Sequence, residues 1–106
     1  MWRNEGKPYD LRVKIEYDPA KNERNIRERG LSFERVREFD FETAVIIEDR
    51  RRDYGEVRYQ TLGWLGSELH SLVFTLREGG LRVISLRRAN RKERRLYVEQ
   101  TESGDD

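Results

Sequence analysis

Three segments in the second half of the chain alternate between apolar and polar residues, at 57–65, 69–77 and 81–87. A period of two is typical of β-strands that bury one face. A glycine-containing loop at 66–68 and a glycine pair at 79–80 separate these segments. Because glycine adopts the positive φ angles of tight turns without steric cost, the separations predict hairpins. The chain is therefore expected to fold around consecutive antiparallel strands.

The first forty residues predict a strand followed by two helices. Residues 11–17 alternate apolar and polar positions, as a half-buried strand does. The Asp-Pro pair at 18–19 suits the start of a helix over 19–29, and Gly30 suits its end. A serine cap then predicts a second helix over 33–41. Two short helices joined across a glycine indicate an αα-hairpin.

Two further elements complete the predicted fold. The apolar run at 44–47 indicates a strand that is covered on both faces. Asn90 and Glu93 have the spacing of a capping box, which predicts a final helix over 91–101. The order strand, helix, helix, four strands, helix indicates an α+β domain. We expect its helices to pack on one face of a four-stranded, mainly antiparallel sheet.

The composition favours one small folded domain. The chain has 106 residues, 41% of them charged and 35% hydrophobic, and its 10% of aromatic residues argue against disorder. The absence of cysteine and the single histidine exclude disulfide scaffolds, thiol nucleophiles and multi-histidine metal sites. No apolar run approaches the ~20 residues of a membrane span, and no signal peptide is recognisable, so a cytoplasmic protein is expected. We expect a flexible segment at 1–10, one domain over 11–101 and an acidic tail at 102–106.

The formal net charge of +1 conceals a strongly basic segment. Residues 81–95 carry seven basic residues and one acidic residue, and further acidic residues follow in 96–106. Positive charge concentrated in this way is typical of a surface that binds nucleic acid or another polyanion. The alternative is a solvated, charge-balanced helix face that only stabilises the fold.

Arg87 and Arg88 are the strongest candidates for contacting a phosphate group. They end the last predicted strand, just before the N-terminus of the last predicted helix. Free N–H groups at a helix N-terminus favour an anion, and guanidinium groups bind phosphate bidentately. The alternative is that one of these arginines pairs with Glu56 or Glu93 and fastens the helix to the sheet. Arg77 is expected at the opposite end of the same strand pair, near the hairpin turn.

The charged loop before the first hairpin offers groups for acid–base chemistry or base stacking. Tyr54, Glu56 and Arg58 lie close together in the sequence. A mixture of tyrosine and arginine suits single-stranded RNA, because bases stack on aromatic rings and guanidinium planes. The alternative is a turn in which Tyr54 covers the core and Glu56 pairs with an arginine. His70 is interpreted as structural or solvent-exposed, although an imidazole can donate a proton near neutral pH.

A series of short motifs runs through nearly the whole predicted domain, over about residues 13–98. It begins with Ile15-Glu16-Tyr17-Asp18-Pro19-Ala20-Lys21, Asn25, Gly30 and Ser32-Phe33-Glu34. It continues with Asp53-Tyr54-Gly55-Glu56, Arg58-Tyr59, Gly63, Arg82-Val83-Ile84-Ser85, Arg87, Glu93-Arg94 and Tyr97. In this order the motifs resemble those of the BrnT-type toxins. The ordered series is more specific than any single motif.

The resemblance implies a RelE-like fold and a ribonuclease of a type II toxin–antitoxin system that arrests translation. It also implies a BrnA-type antitoxin as the neutralising partner, with operator DNA contacted only through that antitoxin. The likeness is strongest for Arg87 and for the group Glu93, Arg94 and Tyr97, and it extends to Tyr54, Glu56 and Arg58. Two positions depart from the family pattern. Arg29 stands where relatives usually have a histidine, and Leu86 stands where they usually have an alanine.

RNA cleavage of this kind needs a base near the 2′-hydroxyl, an acid near the 5′-oxygen and positive charge on the phosphate. The predicted roles are phosphate charge from Arg87 with Arg88 or Arg77, a base at Glu56, and an acid or stacking group at Tyr97 or Tyr54. Other RNA contacts are predicted for Arg58, Arg82, Arg88, Arg91, Lys92 and Arg94. No metal, other cofactor or membrane partner is expected. The alternative function is a non-catalytic module that binds nucleic acid or the antitoxin.

Overall fold

A computed structural model describes residues 14–102 and arranges them around one five-stranded sheet. The strands are β1 (Lys14–Glu16), β2 (Val45–Glu48), β3 (Tyr59–Leu65), β4 (Glu68–Arg77) and β5 (Gly80–Arg88), in the spatial order β1-β5-β4-β3-β2. The helices are α1 (Pro19–Arg29), a 3₁₀ helix (Phe33–Glu38) and α2 (Arg91–Glu102). Within this part of the chain no helix is long and apolar enough to span a membrane. The predictions for 1–10, for the start of the first strand and for most of the acidic tail lie outside the described residues.

The predicted α+β class and the antiparallel meander are confirmed, since β2, β3, β4 and β5 pair antiparallel in chain order. The predicted count of four strands is wrong for residues 14–102, because β1 joins the sheet by pairing parallel with β5. In this pair Lys14 lies opposite Gly80. A Cβ atom at Gly80 would lie 2.0 Å from the Lys14 carbonyl oxygen, so the absence of a side chain there permits the pairing.

Helices cover both faces of the sheet, whereas the sequence predicted helices on one face only. On one face, Phe33 of the 3₁₀ helix belongs to a buried cluster with Leu72 of β4. On the other face, Tyr97 of α2 is buried with Leu62 of β3. Leu62 pairs with Ser71, the neighbour of Leu72. Because successive strand residues point to opposite faces, the two clusters lie on opposite sides of the sheet.

The second predicted helix is a 3₁₀ helix that ends at Glu38, and the prediction of an α-helix reaching residue 41 is wrong. Phe33, Val36 and Phe39 are spaced three residues apart, and each is exposed by 2% or less. A 3₁₀ helix has about three residues per turn, so this spacing aligns the three side chains along one edge. Phe39 has an extended backbone, which ends the helix.

The predicted helix caps are confirmed. Asp18 Oδ1 accepts a hydrogen bond of 3.0 Å from the Ala20 backbone N–H. Gly30 ends α1 in the left-handed conformation, with φ of 66°. Asn90 and Glu93 exchange the two hydrogen bonds of a capping box, at 2.8 and 2.9 Å. As a result α2 begins almost directly after β5 ends.

The strand β2 lies at the edge of the sheet, and the prediction of a strand covered on both faces is wrong. Ile46 is 51% exposed and Ile47 is 39% exposed. The run of apolar residues at 44–47 therefore reflects an edge strand with exposed side chains rather than a central, buried one.

Candidate active site

A cavity of about 760 Å³ lies where the end of α1 meets the β3–β4 turn and the end of β5. Four arginines, a histidine and a glutamate of the described chain line it: Arg29, Arg35, Arg87, Arg88, His70 and Glu68. They come from α1, the 3₁₀ helix, β4 and β5. We call this the arginine cavity. It concentrates positive charge from separate elements, as a site that binds an anion does.

A buried asparagine fixes the end of α1 beside the arginine cavity. Asn25 is 5% exposed, and its Nδ2 donates hydrogen bonds of 2.9 Å to the carbonyl oxygen of Leu31 and 3.0 Å to that of Leu86. Its Oδ1 accepts a hydrogen bond of 2.7 Å from Arg29 Nη1. One amide side chain therefore joins α1 to β5 and positions an arginine of the cavity.

Two arginines of the cavity are paired with exposed carboxylates. Arg88 Nε lies 2.9 Å from Glu68 Oε1, and their side chains are 74% and 52% exposed. Arg35 Nη2 lies 3.0 Å from Glu38 Oε1, with exposures of 43% and 60%. Exposed ion pairs contribute only about 0–1 kcal/mol. A phosphate group can therefore replace the carboxylate at either arginine at small cost.

Arg87 is held more firmly, by Glu93 of α2. Its Nη1 and Nη2 donate to Glu93 Oε1 and Oε2 at 2.9 and 2.8 Å. Gln60 Nε2 donates a further hydrogen bond of 3.0 Å to Glu93 Oε2. The hydrogen bonds from Arg87 are the main reason why the pKa of Glu93 is lowered, and the same bonds raise the pKa of Arg87. The alternative in which Glu93 fastens one arginine to the helix is therefore observed for Arg87.

A second cluster contains four of the other predicted residues. Glu56 lies 3.0 Å from Arg58 and 3.6 Å from Arg77. The Arg58 guanidinium stacks over the ring of Tyr54, 4.2 Å from its centroid. The Tyr54 hydroxyl donates a hydrogen bond of 3.1 Å to Asp49. The alternative in which Glu56 pairs with an arginine is thus observed, and the loop carries a stacked Tyr–Arg pair.

The two clusters lie at opposite ends of the β4–β5 pair. Arg87 lies opposite Ser71, and Arg77 lies opposite Gly80, as the predicted hairpin requires. The six residue steps along β4 from Ser71 to Arg77 span roughly 20 Å at the usual rise of a strand. The structure therefore does not bring Glu56 and Arg77 to the phosphate site predicted around Arg87.

Tyr97 lies on the opposite face of the sheet from the main hydrophobic cluster, and it is 8% exposed. Its hydroxyl donates a hydrogen bond of 2.9 Å to the Thr43 carbonyl oxygen and accepts one of 3.1 Å from Trp64 Nε1. These contacts anchor α2 to β3 and to the loop before β2. The role of Tyr97 as an acid or stacking group stays a prediction.

The remaining predicted RNA-binding residues are spread over the surface. Arg91, Lys92 and Arg94 are exposed on α2, where Arg94 Nη1 also donates to the Ala89 carbonyl oxygen at 2.9 Å. Arg82 of β5 lies 3.7 Å from Glu16 of β1. The basic segment recognised in the sequence is therefore divided between the arginine cavity, the exposed surface of α2 and the β1 edge.

Residues 17–93 match a family model described as the ribonuclease toxin BrnT of type II toxin–antitoxin systems. The chain belongs to the BrnT family. This confirms the resemblance carried by the motifs, and membership indicates RNA as the target and an antitoxin as the partner. Searches of curated proteins and of solved structures found no match.

Three residues of the arginine cavity received no RNA-directed role from the sequence of this BrnT chain. Arg29 drew attention only as a departure from the family pattern, and its position at the end of α1 was the available signal. No local sequence pattern places Arg35 at the cavity, since its position there depends on how the 3₁₀ helix packs. His70 is 5% exposed rather than solvent-exposed, and its strand position alone does not reveal the cavity.

Proposed function

We propose that this chain is a ribonuclease toxin that cleaves RNA in the arginine cavity without a bound metal. The observation that supports this most strongly is the convergence of Arg29, Arg35 and Arg88 on one cavity of the described chain, with Arg87 at its edge. Family membership points to the activity, and the cavity offers the positive charge that a reacting phosphodiester needs. In this proposal RNA cleavage arrests translation in the cytoplasm, and a BrnA-type antitoxin neutralises the toxin.

RNA carries its own nucleophile, the 2′-hydroxyl group. Its attack forms the O2′–P bond and breaks the P–O5′ bond, which leaves a 2′,3′-cyclic phosphate and a free 5′-hydroxyl. Negative charge increases on the phosphoryl oxygens, where Arg88 and Arg35 can bind once they release Glu68 and Glu38. Arg87 adds positive charge and, through Glu93, keeps β5 and α2 in a fixed arrangement.

The second cluster serves in this proposal as an additional RNA contact. Glu56 is not assigned as the base, because it lies with Arg77 at the far end of the β4–β5 pair. The stacked pair of Tyr54 and Arg58 offers a planar surface for a base of the RNA strand. The exposed basic residues of α2 provide further phosphate contacts, at Arg91, Lys92 and Arg94.

The experiment is expression of the full chain without an antitoxin, followed by cleavage of RNA with the purified protein. We expect growth arrest, and cleavage of RNA presented either free or on translating ribosomes. The fragments should carry 2′,3′-cyclic phosphate ends, and a 2′-deoxy substitution at the cleaved nucleotide should abolish cleavage. Harmless expression together with intact RNA in both settings would contradict the proposal.

The second candidate function is a non-catalytic module that binds RNA or an antitoxin. The observation that favours it is the bidentate pairing of Arg87 with Glu93, which occupies the residue expected to bind phosphate. A binding module would retain RNA in a salt-dependent way and leave it uncut. The fragment analysis therefore distinguishes the two functions directly.

A further inference from the structure

His70 is a buried histidine in the arginine cavity, and the sequence interpretation noted only that its imidazole can donate a proton. We propose that His70 Nε2 is the general base that removes the proton from the 2′-hydroxyl group during RNA cleavage. This inference rests on the proposed ribonuclease function and assigns a catalytic residue within it.

The hydrogen bonding of His70 determines which ring nitrogen is free. Nδ1 lies 3.0 Å from the backbone carbonyl oxygen of Glu68. A carbonyl oxygen only accepts hydrogen bonds, so Nδ1 must carry the hydrogen in this contact. In the neutral ring the lone pair then lies on Nε2, which is the nitrogen able to take up a proton. The contact with Glu68 also fixes the orientation of the ring.

Nε2 remains accessible although the residue as a whole is 5% exposed. Within residues 14–102, Thr61 Oγ1 is the single fully buried side-chain N or O atom without a hydrogen-bond partner. Nε2 of His70 forms no hydrogen bond to the described residues, so it must keep contact with solvent. The opening that His70 lines is the arginine cavity.

The charged groups around His70 suit a base that acts on a bound phosphodiester. Arg88 lies directly opposite His70 in the β4–β5 pair. Arg29 from α1, Arg35 from the 3₁₀ helix and Glu68 from β4 line the same cavity. The arginines can hold the phosphate, and the imidazole beside them has a free lone pair on Nε2. Charge stabilisation and proton removal are therefore combined in one cavity.

The proposed step balances without a metal or a second substrate. Nε2 accepts the 2′-hydroxyl proton as the O2′–P bond forms and the P–O5′ bond breaks. The departing 5′-oxygen takes a proton from water, and the resulting hydroxide takes the proton back from the imidazolium. The products are a 2′,3′-cyclic phosphate and a 5′-hydroxyl, and His70 returns to its neutral form.

The test compares wild-type protein with two variants, His70→Asn and His70→Gln, in single-turnover cleavage of an RNA substrate that the wild type cleaves. The asparagine amide can keep the hydrogen bond to Glu68 but has no base at the Nε2 position. The glutamine amide reaches the Nε2 position but does not take up a proton near neutral pH. We expect both variants to bind RNA with unchanged affinity and to cleave it about 10²–10⁴-fold more slowly. A general base acts only in its unprotonated form, so the wild-type rate should fall on acidification, and this fall should be absent from both variants.

Several outcomes overturn the inference while leaving the ribonuclease proposal intact. One is cleavage by a folded His70→Asn protein within threefold of the wild-type rate. Another is a wild-type rate that does not fall on acidification, which overturns the inference even if both variants fail to fold. Failure of the wild type to cleave RNA, free or on ribosomes, instead refutes the ribonuclease proposal and this inference with it. Circular dichroism and thermal unfolding of each variant establish which proteins are folded.

Discussion

Arg87 donates two hydrogen bonds to Glu93, at 2.9 and 2.8 Å, across the junction between β5 and α2. The same carboxylate accepts a hydrogen bond of 2.9 Å from the Asn90 backbone N–H. A single side chain therefore caps the last helix and binds the last strand. Glu93 is only 14% exposed, so the pair is partly sheltered from water. This contact fastens α2 to the end of β5.

Replacement of Glu93 by alanine should destabilise the protein by about 2–3 kcal/mol, because it removes charge-assisted hydrogen bonds and a helix cap together. Glu99→Ala is the matched control, since it removes an exposed carboxylate from the same helix. It should change the free energy of unfolding by less than about 0.5 kcal/mol. Urea denaturation followed by circular dichroism measures both. Equal, small effects of the two substitutions would show that the Arg87–Glu93 pair does not fasten α2.

The stability should fall on acidification, in part through Glu93. Its pKa is lowered in the folded protein, chiefly by the hydrogen bonds from Arg87. The unfolded chain therefore binds the proton at a higher pH than the folded chain does. The contribution of Glu93 is complete above its ordinary pKa of 4.5 and is lost as the pH falls through the lowered value.

Glu93→Gln should accordingly be less stable than the wild type at neutral pH and should show a shallower loss of stability below about pH 4.5. Asp49, whose pKa is lowered mainly by its hydrogen bond with Arg51, keeps part of the slope in this variant. The measurement is the free energy of unfolding from pH 3 to pH 7. A Glu93→Gln protein whose curve runs parallel to that of the wild type would contradict the role given to this carboxylate.

Asn25→Asp should destabilise the protein strongly, by about 3 kcal/mol or more. The substitution keeps the shape of the side chain but turns a donor to two buried carbonyl oxygens into a charged acceptor. Asn22→Asp is the control, because Asn22 Oδ1 accepts a hydrogen bond of 2.8 Å from the Phe33 backbone N–H and a carboxylate can do the same. Thermal unfolding should separate the two variants clearly. Similar melting temperatures would mean that the amide of Asn25 does not join α1 to β5.

Arg88→Gln should weaken RNA binding and reduce its dependence on salt. For single strands the slope of log K against log salt is about −0.7 for each phosphate contact. The loss of one contact should therefore make the slope less negative by about 0.7. Arg24→Gln removes an exposed positive charge from α1, away from the lining of the arginine cavity. This control should leave the slope unchanged. Fluorescence anisotropy over a series of salt concentrations measures the slope for each protein. Equal slopes for Arg88→Gln and the wild type would indicate that Arg88 does not contact phosphate.

The parts of the fold that were predictable from the sequence are those that local interactions determine. The caps at Asp18 and Gly30, the capping box of Asn90 and Glu93, and the hairpins all depend on residues close together in the chain. The parallel pairing of β1 with β5 joins segments more than sixty residues apart, and no local pattern encodes it. The same holds for the distribution of helices over the two faces of the sheet, which depends on tertiary packing.

The candidate site shows the same division. The position of Arg87 and Arg88 at the end of the last strand follows from the period-two pattern and is observed. The sequence did not decide whether Arg87 pairs with Glu56 or with Glu93, because the choice depends on where the two glutamates lie in the folded chain. Arg35 and His70 reach the cavity from the 3₁₀ helix and β4, and no local pattern groups these residues with Arg88.

The most direct test is the single-turnover rate of RNA cleavage by the Arg35→Gln/Arg88→Gln double variant, compared with the wild type and with Lys21→Gln/Arg24→Gln. Both double variants lose the same charge, but only the first removes arginines that line the arginine cavity. If the cavity holds the reacting phosphate, the first variant should cleave RNA at least about 10²-fold more slowly, while the second keeps the wild-type rate. A folded Arg35→Gln/Arg88→Gln protein that cleaves RNA as fast as the wild type would contradict the assignment of this cavity as the active site.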